Sequence, residues 1–565
     1  MPDEYTGADL FVDALEQYGV EHVFGNPGTT ELPVLESISD SDLEYVLGLH
    51  EDIAVGMASG YASTRRYHST HDDDVMPAGV VNLHITPGLA HGLGNVYAAS
   101  FAGTPLVVTA GNHERDFRHE EPLLYGDLVD MVDQFTKWSA EVLDVEALPT
   151  MLRRAFRVAL TPPTGPVFLG LPMDTMLAET DPAEIEPLGP IPNAGRGDPA
   201  QIERAADLLV EADDPVLVLG DHVARSGADA VDAAVDFAET IGARVHGEIL
   251  ACEVNFPTGH DQWISYIPPD EGLASMLMSS DTVVFVGCST NTTLMNHDDD
   301  LVGADTTCIH VSDDAWQVGK NQPADAAVVG DPGLVVEQLT DRVDDRLSDE
   351  TLEQRLQKVE TMKASLSDTI TGLSEDERPD GDTRAGKHEL VDAMREVAPD
   401  AYVVDEGVTS KYPLLIRWEM EAEQMVSNKG GGLGYGLPAS VGAALAESMR
   451  EDPREVIGYV GDGSYLYYPH SIYSAVRHDL DLTVVVPDNR NYRILKDNTQ
   501  SIFGGTDEDH DYVGMDFDPP VDLVKNAESH GATAQRVETA DEIAPALEDA
   551  LDADGTTVLD VLVHD

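Results

Sequence analysis

The sequence predicts an α/β protein built as three doubly wound parallel-sheet domains. Three observations carry that prediction. Short β-runs alternate with helical segments along the chain, the pattern that yields a parallel sheet covered by helices on both faces. Runs such as Pro215–Leu219, Thr282–Val286 and Val456–Val460 are almost wholly apolar, as strands buried on both sides must be. At roughly 100–200 residues per domain, 565 residues leave room for three or four such units.

In the first block, residues 1–185, Thr6 can cap a helix carrying Leu10, Phe11, Ala14, Leu15 and Tyr18 on one face, and Gly19 stops it. A short strand at Val23 and Phe24 runs into the turn Gly25-Asn26-Pro27-Gly28. A helix over 51–63, the strand Gly79–Leu83, a helix over 89–101 and a strand over 106–109 follow. The second block, 195–345, contains Pro215–Leu219 and Thr282–Val286, ending in Gly220 and Gly287. Residues 346–386 are expected to be a linker, a charged helix followed by a loop with Pro379, Asp380, Gly381 and Asp382. The third block, 387–565, shows strands over 402–404, Val456–Val460 and 482–486, with helices over 438–449 and 469–478. Blocks one and three are similar in length, which permits a distant duplication.

The chain holds 105 Asp+Glu against 33 Lys+Arg, a formal charge of −72. A field this negative repels phosphate backbones and anionic lipid, so neither nucleic acid nor a membrane is expected as a partner. The hydrophobic share of 42% supplies large cores, so the acidity does not imply disorder. Acidic residues are spread over loops at 72–74, 298–300, 344–345 and 507–509. Such self-repulsion is relieved when the Debye length falls to about 3 Å near 1 M salt, which points to a salt-rich cytoplasm. Cys252, Cys288 and Cys308 lack CxxC spacing and fit a reducing compartment. Neither a signal peptide nor a run of about 18 apolar residues is visible, so the expected location is cytoplasmic.

The chemistry concentrates in Gly461-Asp462-Gly463-Ser464, directly after a strand. Such turns are common, so the motif speaks through its context. One helix and one strand later the chain presents Asp488-Asn489-Arg490-Asn491-Tyr492. A right-handed crossover makes the two strands neighbours. Asp462 and Asn489, 27 positions apart, should then face each other across the crevice where open α/β sheets bind ligands. A carboxylate, an amide oxygen and a nearby backbone carbonyl make a hard site, too sparse for calcium and suited to Mg²⁺ completed by phosphate oxygens and water. Asp462, Asn489 and Asn491 are the candidate ligands. Ser464 and the amino end of the following helix favour a diphosphate. The plainer alternative is that Asn489 closes a turn.

Gly461-Asp462-Gly463, followed after 25 residues by Asn489, resembles the metal-diphosphate motif of thiamine-diphosphate-dependent enzymes. Gly25-Asn26-Pro27-Gly28, His50-Glu51, Asn82-Leu83-His84 and Gly430-Gly431-Gly432-Leu433-Gly434 fall where that family has counterparts, in the same order. The three blocks would then be the pyrimidine-binding, central and diphosphate-binding domains, and the nearest likeness, through the stretches containing Glu31-Leu32-Pro33 and Asn82-Leu83-His84, is to benzoylformate decarboxylases. The resemblance implies thiamine diphosphate and Mg²⁺ as cofactors and a 2-oxo acid as the small-molecule substrate. It makes Glu51 the partner of the aminopyrimidine N1′ nitrogen, driving formation of a C2 ylid. It makes His84 a proton-transfer residue and Thr29 a contact to the substrate carboxylate. Gly431 would accept from the 4′-amino group, Leu433 would wedge beneath the cofactor, and Thr409, Gly463, Ser464 and Tyr492 would complete the cofactor contacts.

This sequence departs from the family's pattern at several positions. Leu294 stands where a second active-site histidine is expected, with His297 three residues on. Asp488 stands where most members have Asn. The stretches Leu466-Tyr467-Tyr468 and Arg493-Ile494-Leu495-Lys496 do not fit an aromatic substrate and suggest a more polar one. The first expectation is non-oxidative decarboxylation of a 2-oxo acid. The second is a carboligase of the acetolactate-synthase type, and the third a non-catalytic thiamine-diphosphate-binding protein, disfavoured because Glu51, Asp462 and Asn489 are all retained. Cys288-Ser289-Thr290-Asn291-Thr292-Thr293 replaces the Arg-Phe-Asp-Asp signature that accompanies FAD in synthases, which argues against FAD without excluding it. The resemblance also implies a homodimer or homotetramer with active sites between subunits.

Overall fold

A computed structural model describes residues 5–288, 296–374, 378–379 and 381–565. Its strands form three six-stranded sheets, and every pairing within them is parallel. The first contains β1 (His22–Gly25), β2 (Glu44–Leu47), β3 (Gly79–Leu83), β4 (Leu106–Asn112), β5 (Ser139–Glu141) and β6 (Val167–Pro172), in the order β2-β1-β3-β4-β6-β5. The central sheet contains β7 (Pro215–Leu219), β8 (Arg244–Gly247), β9 (Trp263–Tyr266), β10 (Thr282–Val286), β11 (Thr307–Ser312) and β12 (Ala326–Val329), ordered β12-β11-β10-β7-β8-β9. The third contains β13 (Tyr402–Glu406), β14 (Met425–Ser427), β15 (Val456–Val460), β16 (Leu482–Asp488), β17 (Thr533–Val537) and β18 (Thr556–Leu562), ordered β14-β13-β15-β16-β18-β17. The first and third sheets therefore share one topology, which the similar lengths of their blocks only allowed. The central one follows the doubly wound order that reverses between its first and fourth strands.

The helix Gly7–Gln17 begins with Thr6 in a reciprocal capping box with Asp9, and the backbone turns positive at Gly19. The helix starting at Glu51 runs on to Ser69, past the expected end at 63. Its added turns are buried, with Arg65 beside Met449 and Arg66 and Tyr67 both on Glu253 of the central unit, beyond the crossing of this helix with the helix Gly436–Ser448. That crossing needs glycine on both sides. A Cβ on Gly60 would stand 2.0 Å from the Ala439 carbonyl oxygen, and one on Gly442 would stand 1.9 Å from that of Met57. One apolar cluster consequently spans both sheets, from Phe24, Val81 and Val108 to Val404, Val460 and Val484.

The helix Asp349–Gly372 packs onto the central unit through Arg355, whose buried guanidinium donates to the Leu209, Ala212 and Ile241 carbonyls. Part of the expected loop after it, 375–377 and 380, lies outside the described residues. Among the described residues no helix is long and apolar enough to cross a membrane.

Candidate active site

β15 and β16 pair side by side, as the crossover argument requires. The connection between them is two short helices, Asp462–Tyr465 and Ser471–Arg477. The carboxyl ends of β15 and β16 open onto a pocket whose wall includes Thr409, Leu433, Asp462, Gly463, Ser464, Asn489, Asn491 and Tyr492. Gly463 is required there by its neighbour: a Cβ would stand 2.6 Å from Tyr492 Cε1. That ring is held edge-on to Phe517 at 4.8 Å between centroids.

Three oxygens at this pocket are buried without a hydrogen-bond partner: Asp462 Oδ2, Ser464 Oγ and Asn491 Oδ1. Each such atom costs about 1–3 kcal/mol if left unsatisfied. Burial, and then the neighbouring Asp488 carboxylate, push the Asp462 carboxyl up to about 8. A bound divalent cation relieves both conditions, because it satisfies hard oxygens and favours the ionised carboxylate. The donor set, oxygens only, fits Mg²⁺ with a diphosphate. Asn489 lines the pocket and also closes the turn: its Oδ1 accepts from Asn491 N at 3.3 Å and its Nδ2 donates to Asp565 Oδ1 at 2.7 Å. Asn491 Nδ2 donates to Asp565 Oδ2 at 2.8 Å, so Asp565 ties down both amides.

The glycine loop is organised by Glu406, a residue the sequence did not single out. Its buried carboxylate accepts from Gly434 N at 3.2 Å, Tyr435 N at 3.3 Å, Gly436 N at 2.9 Å and Asn428 Nδ2 at 2.7 Å. Burial outweighs those donors and raises the carboxyl to about 7. Gly431 adopts φ +72, which a side chain would resist, and has nothing within 4 Å of where a Cβ would be. Leu433 reaches the pocket wall.

The other candidates lie at the carboxyl edge of the first sheet. Glu51 opens its helix behind the cap His50, whose Nδ1 accepts from Asp52 N at 3.1 Å. Glu51 Oε2 meets His91 Nδ1 at 3.1 Å. His84 follows β3, and its Nδ1 meets Glu31 Oε2 at 2.8 Å. Glu31 is 1% exposed, and its Oε1 accepts from Thr30 Oγ1 at 2.6 Å and Gly111 N at 2.9 Å. The hydrogen bond to Glu31 raises the His84 pKa above its ordinary 6.5. Thr29 is exposed and opens the turn Thr29–Glu31. Gly28 lets this turn close on the imidazole, since a Cβ there would stand 2.0 Å from His84 Nδ1. Asp52, also missed, accepts from Tyr468 Oη at 2.9 Å and is raised by burial to about 6.

The chain thus gathers its candidates into two groups, and Glu51, His84 and Thr29 are not part of the third-sheet pocket. His297 Nε2 lies 3.1 Å from the Pro269 carbonyl oxygen, while Leu294 falls outside the described residues, as does the whole stretch 289–293 after Cys288 on which the FAD expectation rests.

Two units of one topology, one with a buried carboxylate–imidazole pair and one with an oxygen-lined pocket suited to a diphosphate, define an enzyme that works through a bound cofactor. Comparison with known proteins names that cofactor. Residues 5–136, 202–339 and 410–561 match, respectively, the N-terminal TPP binding, central and C-terminal TPP binding domains of thiamine pyrophosphate enzymes. The chain is 31% identical to benzoylformate decarboxylase from Pseudomonas aeruginosa over 97% of each chain. It is 26% identical to acetolactate synthase from Bacillus subtilis, covering 99% of this chain and 93% of that one. Among solved structures, a thiamine diphosphate-dependent 4-hydroxybenzoylformate decarboxylase from Rhodococcus jostii superposes with a TM-score of 0.83 at 28% identity over 99% of each chain. The chain belongs to the thiamine pyrophosphate enzyme family, and it is an enzyme of the 2-oxo acid decarboxylase and acetolactate synthase type.

Proposed function

We propose that this protein is a Mg²⁺- and thiamine-diphosphate-dependent decarboxylase that converts a 2-oxo acid to an aldehyde without oxidation. The observation that carries this reading is the Glu31–His84 pair. A simple decarboxylase must return a proton to the carbon that lost CO₂, and an imidazole whose protonated form is favoured by a buried carboxylate is suited to that step. A carboligase delivers the same carbon to a second carbonyl instead.

When bound, thiamine diphosphate supplies the carbon nucleophile and electron sink for the decarboxylation. Asp462, Asn489 and Asn491 hold Mg²⁺. Thr409, Gly463, Ser464 and Tyr492 surround the diphosphate, and Gly431 and Leu433 orient the aminopyrimidine. Glu51 holds and moves the proton at the ring's N1′ nitrogen, Thr29 holds the substrate carboxylate, and His84 delivers the final proton. A substrate more polar than benzoylformate rests on the departures at 466–468 and 493–496 in the sequence; in the fold Arg493 pairs with Asp497 and Asp507, and Lys496 with Asp516. The enzyme works as a homodimer or homotetramer in which Glu51 of one subunit meets the Asp462 pocket of another.

The second reading, a carboligase, is favoured by the similarity to acetolactate synthases along the full chain. Incubation in concentrated KCl with both cofactors and a panel of 2-oxo acids separates the two. CO₂ with aldehyde as the sole product supports decarboxylation, and a 2-hydroxyketone or acetolactate supports ligation. Absence of CO₂ with cofactor bound refutes both.

A further inference from the structure

Behind the glycine loop, six charged side chains from all three sheet-bearing units meet in a buried junction. Arg66 comes from the helix Glu51–Ser69. Asp221, Arg225, Glu248 and Glu253 come from the central unit, and Lys429 from the residue just before Gly430. Lys429 Nζ lies 2.7 Å from Asp221 Oδ2 and 2.8 Å from Glu248 Oε1. Arg66 Nη2 lies 2.5 Å from Glu253 Oε2, and Arg225 Nε lies 3.2 Å from Glu253 Oε1. No side chain of the six is more than 9% exposed.

Asp221 and Glu248 stand just beyond the carboxyl ends of the paired strands β7 and β8, and Asp221 N donates to Glu248 Oε1 at 3.0 Å. Asp221 Oδ1 accepts from Cys252 N at 2.9 Å and Asn255 Nδ2 at 3.1 Å. The lysine's two partners are therefore themselves held by the central fold. Beside them Ser427 N donates to the Cys252 carbonyl at 2.9 Å, joining β14 to the same segment.

A buried ion pair is weak evidence for stability, since apolar residues of equal volume often serve as well; what it can impose, as in some other folds, is position. The loop that follows Lys429 needs that constraint. It contains four glycines among residues 430–434, two of them with positive φ, so its own backbone specifies little. Glu406 holds its far end through three backbone N–H groups. The near end is held twice: by Asn428, whose Nδ2 donates to Glu406 Oε1 and whose Oδ1 accepts from Gly431 N at 3.1 Å, and by Lys429, which alone of the two reaches the central unit.

We propose that Lys429 is a positioning residue for the cofactor: clasped by Asp221 and Glu248, it lets the central unit set the placement of Gly431 and Leu433, and so the affinity for thiamine diphosphate. The inference rests on the reading that Gly431 and Leu433 seat the aminopyrimidine. Among the described residues the central unit contributes none to the lined pocket, and the lysine gives it a direct route to that site.

The test is a thiamine diphosphate titration of the full-length protein in saturating Mg²⁺, with bound cofactor measured by equilibrium dialysis alongside kcat and melting temperature. Lys429→Met should weaken cofactor binding by about tenfold or more while kcat at saturating cofactor stays within about threefold of wild type. Arg66→Met breaks the same junction on the side away from the loop. It should lower the melting temperature comparably and leave cofactor affinity unchanged. Should Lys429→Met fail to fold, Lys429→Arg keeps the charge but alters the length and shape of the arm, and should weaken binding by about threefold. Wild-type affinity in the folded Lys429 variant, or an equal loss in Arg66→Met, overturns the inference. Leu433→Ala separates the layers. Wild-type affinity there overturns the reading of the loop and the inference with it, whereas weakened binding in Leu433→Ala beside wild-type affinity at Lys429 overturns the inference alone.

Discussion

Glu31 sits two residues after Thr29 in a turn, and nothing in a one-dimensional reading pairs it with a histidine 53 positions away. Folding makes the pair because β1 and β3 are neighbours and their carboxyl ends share an edge. The consequence is measurable. Replacing Glu31 with Gln removes the charge that supports the imidazolium, so the His84 limb of the pH–rate profile should move to lower pH, and activity should fall more at pH 8 than at pH 6. An unchanged profile would detach His84 from the rate. Glu51→Gln should keep bound cofactor yet lose about a hundredfold or more in kcat, because the amide cannot exchange the N1′ proton. Turnover near wild type with cofactor bound would remove Glu51 from the chemistry. Of the candidate residues, those in compact motifs were legible; Glu31 was legible only within the stretch Glu31-Leu32-Pro33 that carries the family likeness, and the roles of Glu31, Asp52 and Glu406 were not, because each acts through partners brought by other strands and loops.

At the scale of elements, the loop from Asn428 to Gly436 is shaped by a carboxyl group whose pKa is raised from the ordinary 4.5 to about 7 by burial. The folded state therefore binds a proton that the unfolded chain has already lost across that interval. The stabilisation is fully present below pH 4.5 and disappears as pH rises through 7, an effect of roughly 3 kcal/mol. Glu406→Gln carries no such titration. Its melting temperature should gain on wild type steadily between pH 5 and 8, whatever constant offset the amide introduces. Parallel pH dependences would show that Glu406 does not titrate in that range. The strands named in the sequence were found in place, while the interior strands β6, β8, β11 and β18 went unnamed, as did the edge strands β2, β5, β14 and β17. The edge strands are short or partly exposed, and their pairing rather than their composition defines them.

At the scale of the whole molecule, 105 acidic residues repel one another over a surface with few compensating bases. Melting temperature should rise with KCl and level off near 1 M, where the Debye length is about 3 Å. A flat response would mean that local pairing already neutralises the surface. The buried junction around Lys429 lies beyond the reach of that screening. Asp462→Ala should lose Mg²⁺-dependent retention of thiamine diphosphate on dialysis. Mixed with Glu51→Gln after dissociation and reassociation, it should regain activity. If each site takes Glu51 from one subunit and Asp462 from another, one site in each mixed dimer is intact, for about a quarter of wild-type turnover overall. No recovery despite subunit exchange would place both residues in a single chain's site.

The sequence by itself determined the α/β class, the order of the motifs, the family and the oxygen-rich character of the Asp462 pocket, because these depend on local periodicity and on short turns whose residue types are dictated by nearby backbone. Tertiary structure alone decided that Glu31 supports His84, that Glu406 shapes the glycine loop, that Arg66 is core and not surface, and that a lysine before that loop is clasped by the central unit. Those are contacts between residues far apart in the chain, and their strength comes from burial, which a linear pattern does not carry.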